Sequence, residues 1–294
     1  MVASQDIAYG MTASSLTEAR SAGRGSLAPW RDLWLLATRY RALTLQMAKR
    51  ELTDKYAGQV FGRLWTILHP LSLILVYVFI FGYVFKVRID GSGAPAFNYT
   101  TYLMAGVIPW LAFQESLSKS SVVIPGNANL VKQVIFPVEI LPIKGVIASL
   151  VTQAILIVLL TVYVVALYHR LPWTYALVPV LFAVQAALTI GVCYFVSAIS
   201  VFFRDVKDVV QAFSIIGLYL MPAVYLPELV PSAFRPLLYL NPLSYLVWCY
   251  QDALYFGRFA HPFAWVVLIL LSVVILALGS QVFRRLKPMF GNML

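Results

Sequence analysis

Charge is scarce in this sequence. Only 12% of its 294 residues are Asp, Glu, Lys or Arg, about half the share of an ordinary soluble domain. Acid is scarcest of all, with 12 Asp and Glu against 22 Lys and Arg. The two cysteines, Cys193 and Cys249, lie in apolar stretches without CxxC spacing. Neither a disulfide framework nor a zinc site is supported, and both read as small buried hydrophobes. The three histidines, His69, His169 and His261, stand apart, near the ends of apolar runs, and read as interfacial residues rather than ligands. No G-x-x-x-x-G-K-[ST], H-E-x-x-H or G-x-S-x-G is present, which leaves the chain without a phosphate loop, a zincin helix or a nucleophile elbow of its own. The acids are scattered, so the convergent carboxylates of a membrane glycosyltransferase or hydrolase are missing.

Apolar side chains fill the space that charge leaves. They make up 61% of the residues, and mean hydropathy is +0.82. One soluble core of this length cannot hide that much apolar surface. Disorder, coiled coil and collagen are excluded by the same composition. The fold class is therefore an all-α polytopic membrane protein. Six stretches are long and apolar enough to span: Trp65–Phe85, Thr101–Leu117, Val146–Tyr168, Trp173–Phe203, Val209–Leu226 and Phe263–Phe283. The fourth is too long for one upright helix and must tilt or project into water.

Basic residues set the orientation. With both termini in the cytoplasm, 17 Lys and Arg fall inside and 5 outside, a strong positive-inside bias. The net charge of +10 is thus a topology signal, and nucleic acid is not an expected partner. Residues 1–29 are polar and Gly/Ser-rich, with no apolar run after a basic start, and read as a disordered cytoplasmic tail rather than a cleavable signal. Residues 30–64 are expected to hold an amphipathic interface helix and the approach to the first span, and 65–294 the six-span transmembrane domain. Within 32–55, Leu33, Leu36, Ala37, Tyr40, Leu43, Thr44 and Met47 recur at helical spacing among Arg and Lys, which suits a helix on anionic lipid. Residues 227–262 are outside on this topology, yet largely apolar from Tyr239 to Phe256 and broken by five prolines. A seventh span would reverse the charge rule, so a re-entrant or interfacial pair of short helices is expected.

Motifs along the chain resemble one family. Gly58 to Trp65 (GQVFGRLW) and Ile67 to Pro70 open it. Gly106 to Trp110 (GVIPW), Asn129 to Lys132 leading to Phe136–Pro137, and Phe203–Arg204–Asp205 follow. Met221 to Tyr225 (MPAVY), Asn241–Pro242–Leu243 and Phe283 to Pro288 (FRRLKP) close it. In this order, over residues 30–294, they are similar to the permease subunits of polysaccharide-exporting ABC transporters. The resemblance implies a half-transporter in the bacterial inner membrane that exports lipid-linked O-antigen, capsule or teichoic acid chains. It implies a homodimer around one channel and two separate ATPase subunits that hold the ATP and Mg, with no cofactor or catalytic residue in this chain. It also implies an interface helix, a coupling helix between spans 2 and 3, and periplasmic gate helices between spans 5 and 6. Gln251 departs from the family, where many relatives have Arg before the acid at Asp252, so no salt bridge is assigned there. A permease of this architecture for drugs or other small molecules, and a membrane enzyme acting on polyprenyl-linked sugars, are the competing readings.

Three regions are the expected working parts. Between spans 2 and 3, Pro125, Asn127 and Asn129 offer turns and caps. Leu130 and Val131 would anchor a short helix in an ATPase groove, with Lys132 at its rim. Before span 1, Phe61, Arg63, Trp65 and His69 form a cytoplasmic gate, where Arg63 and His69 suit a pyrophosphate head group or lipid phosphate. In span 1, Tyr77, Phe81 and Phe85 share one helical face. With Tyr219, Tyr225 and Tyr245 near the outer mouth, they are candidates to line a channel along which a glycan slides; lipid contact and dimer packing are the alternative uses.

Overall fold

The computed structural model describes residues 40–55, 58–59, 61–84, 97–133, 137–227 and 230–294, leaving out the side chains of Arg63 and Gln133. The expected tail at 1–29, Leu33, Leu36, Ala37 and Phe85 lie outside them. All the regular structure described is helical. In order it comprises α1 (Arg41–Asp54), α2 (Trp65–Tyr77, continued by a π-helical stretch Val78–Val84), α3 (Tyr99–Val123), α4 (Ala128–Gln133) and α5 (Ile140–Tyr168). Then follow α6 (Val178–Ile199), α7 (Val206–Ile216, continued as a 3-10 turn Gly217–Leu220), α8 (Arg235–Leu240), α9 (Pro242–Gln251, continued by a π-helical Asp252–Phe256), α10 (Pro262–Leu286) and α11 (Phe290–Met293). Residues 43–294 form one compact unit.

Four helical stretches are long and apolar enough to cross a membrane: Trp65–Val84, Ile140–Tyr168, Trp173–Ile199 and Pro262–Met293. They coincide with the first, third, fourth and sixth stretches expected. The fourth ends at Ile199 rather than Phe203, because residues 200–205 turn, and the over-long helix disappears. The second and fifth take another form. Helix α3 is long enough, but Thr, Tyr and Ser dilute its apolar character. It tolerates them because 18 of its 25 residues are buried among other helices. Helix α7 stops early, and the chain leaves helical geometry at Met221 (φ −119°, ψ 154°).

Helix α3 is the axis of the bundle, packed against α5, α6, α7 and α9. Asn98 starts it. The Asn98 side chain accepts from the Thr101 N–H at 3.2 Å and donates from Nδ2 to the Tyr163 hydroxyl at 2.8 Å, so one residue caps α3 and ties it to α5. The closest helix pair is α6 with α10. Gly191 and Gly279 make that approach possible: a Cβ on Gly279 would lie 2.0 Å from the Gly191 carbonyl oxygen. Apolar burial drives helices together weakly in lipid, and small residues that let backbones touch take over that role.

Replacing Gly279 by Val should cost about 3 kcal/mol or more, since backbone cannot yield as a side chain does. A Cβ on Gly126 meets nothing within 4 Å, so Gly126→Ala should shift stability by less than about 0.5 kcal/mol. Thermal unfolding in detergent of the two variants checks the contrast.

Candidate functional site

The segment between α3 and α5 begins with an anchor. Ile124 is fully buried. The chain then turns through a 3-10 helix, Pro125–Asn127, whose Asn127 donates from Nδ2 to the Val123 carbonyl at 2.7 Å. Helix α4 follows, with Pro125, Asn129 and Lys132 exposed and Asn127, Leu130 and Val131 half-buried. The expected short helix is present, and the turn before it starts only at Ile124, because Ser118–Val123 still belong to α3. The C-terminal α11 packs beside α4. Phe290 buries its ring against Phe283, 5.5 Å away, and Lys287 Nζ sits 2.6 Å from Glu139 Oε1.

A charge network nearby escaped sequence reading. Lys55 Nζ lies 2.7 Å from Glu115 Oε1, and Lys119 Nζ lies 3.1 Å from the same oxygen. Lys119 is 4.0 Å from Glu51 Oε1, and Lys144 is 3.0 Å from Glu51 Oε2. These residues join α1 and its C-terminal Lys55 to the end of α3 and the start of α5. Sequence gives each charge but not the meeting of residues as far apart as Glu51 and Lys144.

Before α2, Gly58 and Gly62 adopt φ of 79° and 46°, a region L-residues rarely enter. Phe61 packs edge-on against Trp65 at 5.9 Å, while His69 is exposed. Helix α2 then carries Tyr77 stacked on Phe81 at 5.9 Å. The aromatic track continues from Phe81 to Tyr99 at 5.7 Å, to Tyr102 at 5.9 Å and to Tyr255 at 5.2 Å. Tyr219 is exposed and Tyr225 half-buried. Tyr245 is buried, with its hydroxyl donating to the Tyr239 carbonyl at 2.7 Å, so its ring sits in packing.

Residues 221–226 are where the backbone is most demanding. Once helical geometry ends, the carbonyls lose their intrahelical partners. Tyr99 donates to the Val224 carbonyl. Tyr102 donates to those of Pro222 and Tyr225, each at 3.2 Å, and Gln251 donates from Nε2 to Pro222 at 2.9 Å. Gly106 permits the approach, since a Cβ there would lie 2.9 Å from the Ala223 Cα. Trp110 lies across Gly217, where a Cβ would come within 2.4 Å of the indole. Two separate motifs are thus the two sides of one joint.

The other acid in this region is Asp252, 1% exposed. Its Oδ2 accepts from the His261 backbone N–H and from Trp265 Nε1, both at 3.0 Å. Its Oδ1 lies 2.9 Å from His261 Nδ1. His261, expected as an interfacial residue, thus also helps to satisfy a buried acid. Deeper in the bundle, the Tyr250 hydroxyl and Gln153 Nε2 both donate to Gln185 Oε1, at 2.6 and 2.8 Å. Gln185 in turn donates to the Pro109 carbonyl at 3.1 Å. Among the described residues no group of three or more His, Cys, Asp or Glu could hold a metal ion.

This geometry gives a helical bundle with hydrogen-bonded polar joints and a short exposed helix between two long ones. Residues 42–255 match the model of the family described as ABC-2 type transporter. The chain belongs to the ABC-2 type transporter family. An O-antigen export system permease protein RfbA of Klebsiella pneumoniae is 27% identical over 256 residues, covering 86% of this chain and 95% of the relative. Another, of Myxococcus xanthus, is 29% identical over 255 residues with the same coverage. The polysialic acid transport protein KpsM of Escherichia coli is 22% identical over 238 residues, 80% of this chain and 90% of its own. As an ABC-2 type transporter with these helices, the chain is a membrane protein, and its resemblance to this class is secured by a match along most of its length.

In this ABC-2 chain, Tyr102→Phe removes the hydroxyl that serves the Tyr225 carbonyl and leaves the Pro222 carbonyl to Gln251. It should lower stability by about 1–3 kcal/mol, read as a lower midpoint of thermal unfolding. Tyr225→Phe, whose hydroxyl reaches only the Tyr219 carbonyl near the surface, should change the midpoint little.

Proposed function

We propose that this chain is the transmembrane subunit of an ATP-driven exporter that moves a lipid-linked polysaccharide across the bacterial inner membrane. O-antigen is the first expectation, with capsule and teichoic acid as related substrates. The observation that carries this reading is the near full-length likeness to permeases whose names specify O-antigen export or polysialic acid transport. ATP would be hydrolysed by two separate ABC subunits, since the sequence has no phosphate loop of its own.

In this reading two copies enclose the channel. The exposed apolar faces of α2 (Leu75, Val76, Phe79) and α7 (Val209, Ile215, Ile216) suit a second copy or lipid. Only 11% of the apolar window of Trp65–Val84 is covered within the chain, against 28 to 33% for the other three candidate spans. With α3 and α7 completing a set of six crossings, both termini would lie on one side, and the positive-inside bias makes that side the cytoplasm. Helices α8 and α9 then form the re-entrant pair on the periplasmic side. The burial of Leu243 to Gln251 within protein supports irregular backbone at membrane depth there. Helix α4 is the coupling helix, Phe61 to His69 the head-group gate, and Tyr77, Phe81 and Tyr219 the glycan track.

Loss of the gene should remove surface glycan while the lipid-linked precursor accumulates inside; intact surface glycan would overturn the reading. Combining Leu130→Asp with Lys132→Glu should detach the ATPase on co-purification while the permease still folds; unchanged assembly and export would remove α4 from the coupling role. A cysteine in place of the exposed Ser232 should label from the periplasm, and labelling from the cytoplasm alone would reverse the topology.

A further inference from the structure

We infer that Glu51 is a positioning residue that carries displacement from the coupling segment to the entrance of span 1. This rests on the exporter reading above. Helix α1 is fastened to the bundle in an unusual way. Its fully covered side chains are only Thr44 and Ala48, too small to bury much apolar surface. Further along the same face come Glu51 and then Lys55. Glu51 is shared between Lys119 near the end of α3, at 4.0 Å, and Lys144 in the first turns of α5, at 3.0 Å. Those two helices bracket the segment that holds α4. Whatever pushes that segment moves Lys119 and Lys144, and Glu51 is the acid on α1 that bridges both.

The surroundings permit movement. A cavity of about 260 Å³ is bounded by Glu51, Lys119, Lys144, Gly126 and Asn127, so long charged side chains span open space where apolar packing would lock one geometry. Partly exposed ion pairs of this kind are individually weak. They add little to stability, but they can exchange partners over a displaced segment. Downstream of α1 the chain passes Gly58 and Gly62, both at positive φ with nothing within 4 Å of a Cβ. That is an unobstructed joint, and Trp65 begins α2 three residues later. In this inference the displaced end of α1 sets where the chain enters this joint, and so where Phe61 and Trp65 of the expected gate lie. Lys55 pairs with Glu115 and holds the C-terminal end of α1 beside α3.

The test uses the permease co-expressed with its ATPase, scoring complex recovery, ATP hydrolysis and surface glycan together. Wild type must assemble and export; if it does not, the exporter reading itself fails, whatever Glu51 does. Glu51→Gln should leave recovery of the ATPase unchanged and hydrolysis within about twofold, while export drops by about tenfold or more, the scale of a typical coupling interaction. Glu51→Asp, which keeps the charge, should retain at least about a third of export. Normal export by Glu51→Gln overturns the inference. So does loss of the ATPase from that variant, or failure of Glu51→Asp to retain export, since either makes the contact purely structural.

Discussion

A main-chain carbonyl inside a bilayer has no water to turn to, and each one left unbonded costs several kcal/mol, roughly the stability of a small domain. The joint at residues 217–226 obeys this constraint by importing donors. Helix α7 cannot continue through Pro222, so its last oxygens and those after it face outward from the ladder. Asn241 reaches the Leu220 carbonyl at 3.1 Å. Tyr99 and Tyr102 from α3 and Gln251 from α9 serve the carbonyls of Pro222, Val224 and Tyr225. Glycine at 106 and 217 is what brings these donors close enough. The position of α7, and through it the shape of any passage beside it, therefore depends on hydrogen bonds from four side chains, Tyr99, Tyr102, Asn241 and Gln251, and on two missing methyl groups.

The polar groups within this bundle fall into two kinds. At one end they are long, flexible and ionic: Lys55, Lys119, Lys144, Glu51 and Glu115 around a cavity. Toward the other end they are short-reach and fixed: the Gln153–Gln185–Tyr250 cluster and the Asp252–His261–Trp265 joint. The distinction is mechanical. Amide and hydroxyl bonds within a packed interior hold one arrangement, because any alternative strands a donor or acceptor. Ion pairs around open space tolerate several arrangements at similar energy. A chain that must move at one end while keeping its backbone bonded at the other is well served by that division.

Much of this was legible in the sequence, and the parts that were not share a cause. Apolar runs marked Trp65–Val84, Ile140–Tyr168, Trp173–Ile199 and Pro262–Met293 because lipid exposure leaves a compositional trace. The short helix after Pro125 was readable from its turn residues, and the broken apolar stretch around Pro242 from its prolines. Helix α7 was overestimated in length, since hydropathy does not register where Gly217 and Pro222 end regular geometry. The ion network was invisible for a different reason. Lys287 and Glu139 meet across 148 residues, and Glu51 finds Lys144 only because the bundle folds α5 beside α1. Motif order identified the joint's components, Gly106–Trp110 and Met221–Tyr225, but not that one motif is packed on the other.

Asp252 is the acid that an ion-coupled mechanism would have to recruit, and its setting argues against that use. A coupling carboxylate must exchange its proton with a water path and alternate between partners. Asp252 is 1% exposed, and both of its oxygens are engaged, one by two N–H donors and the other by the His261 ring. Its contacts tie the turn after Gly257 back onto α9 and α10, which is the task of a fastener. With that acid committed to holding a corner, and the ion pairs of Glu51 and Glu115 gathered where α1, α3 and α5 meet, the proposed exporter would take up force at α4, the short helix between α3 and α5.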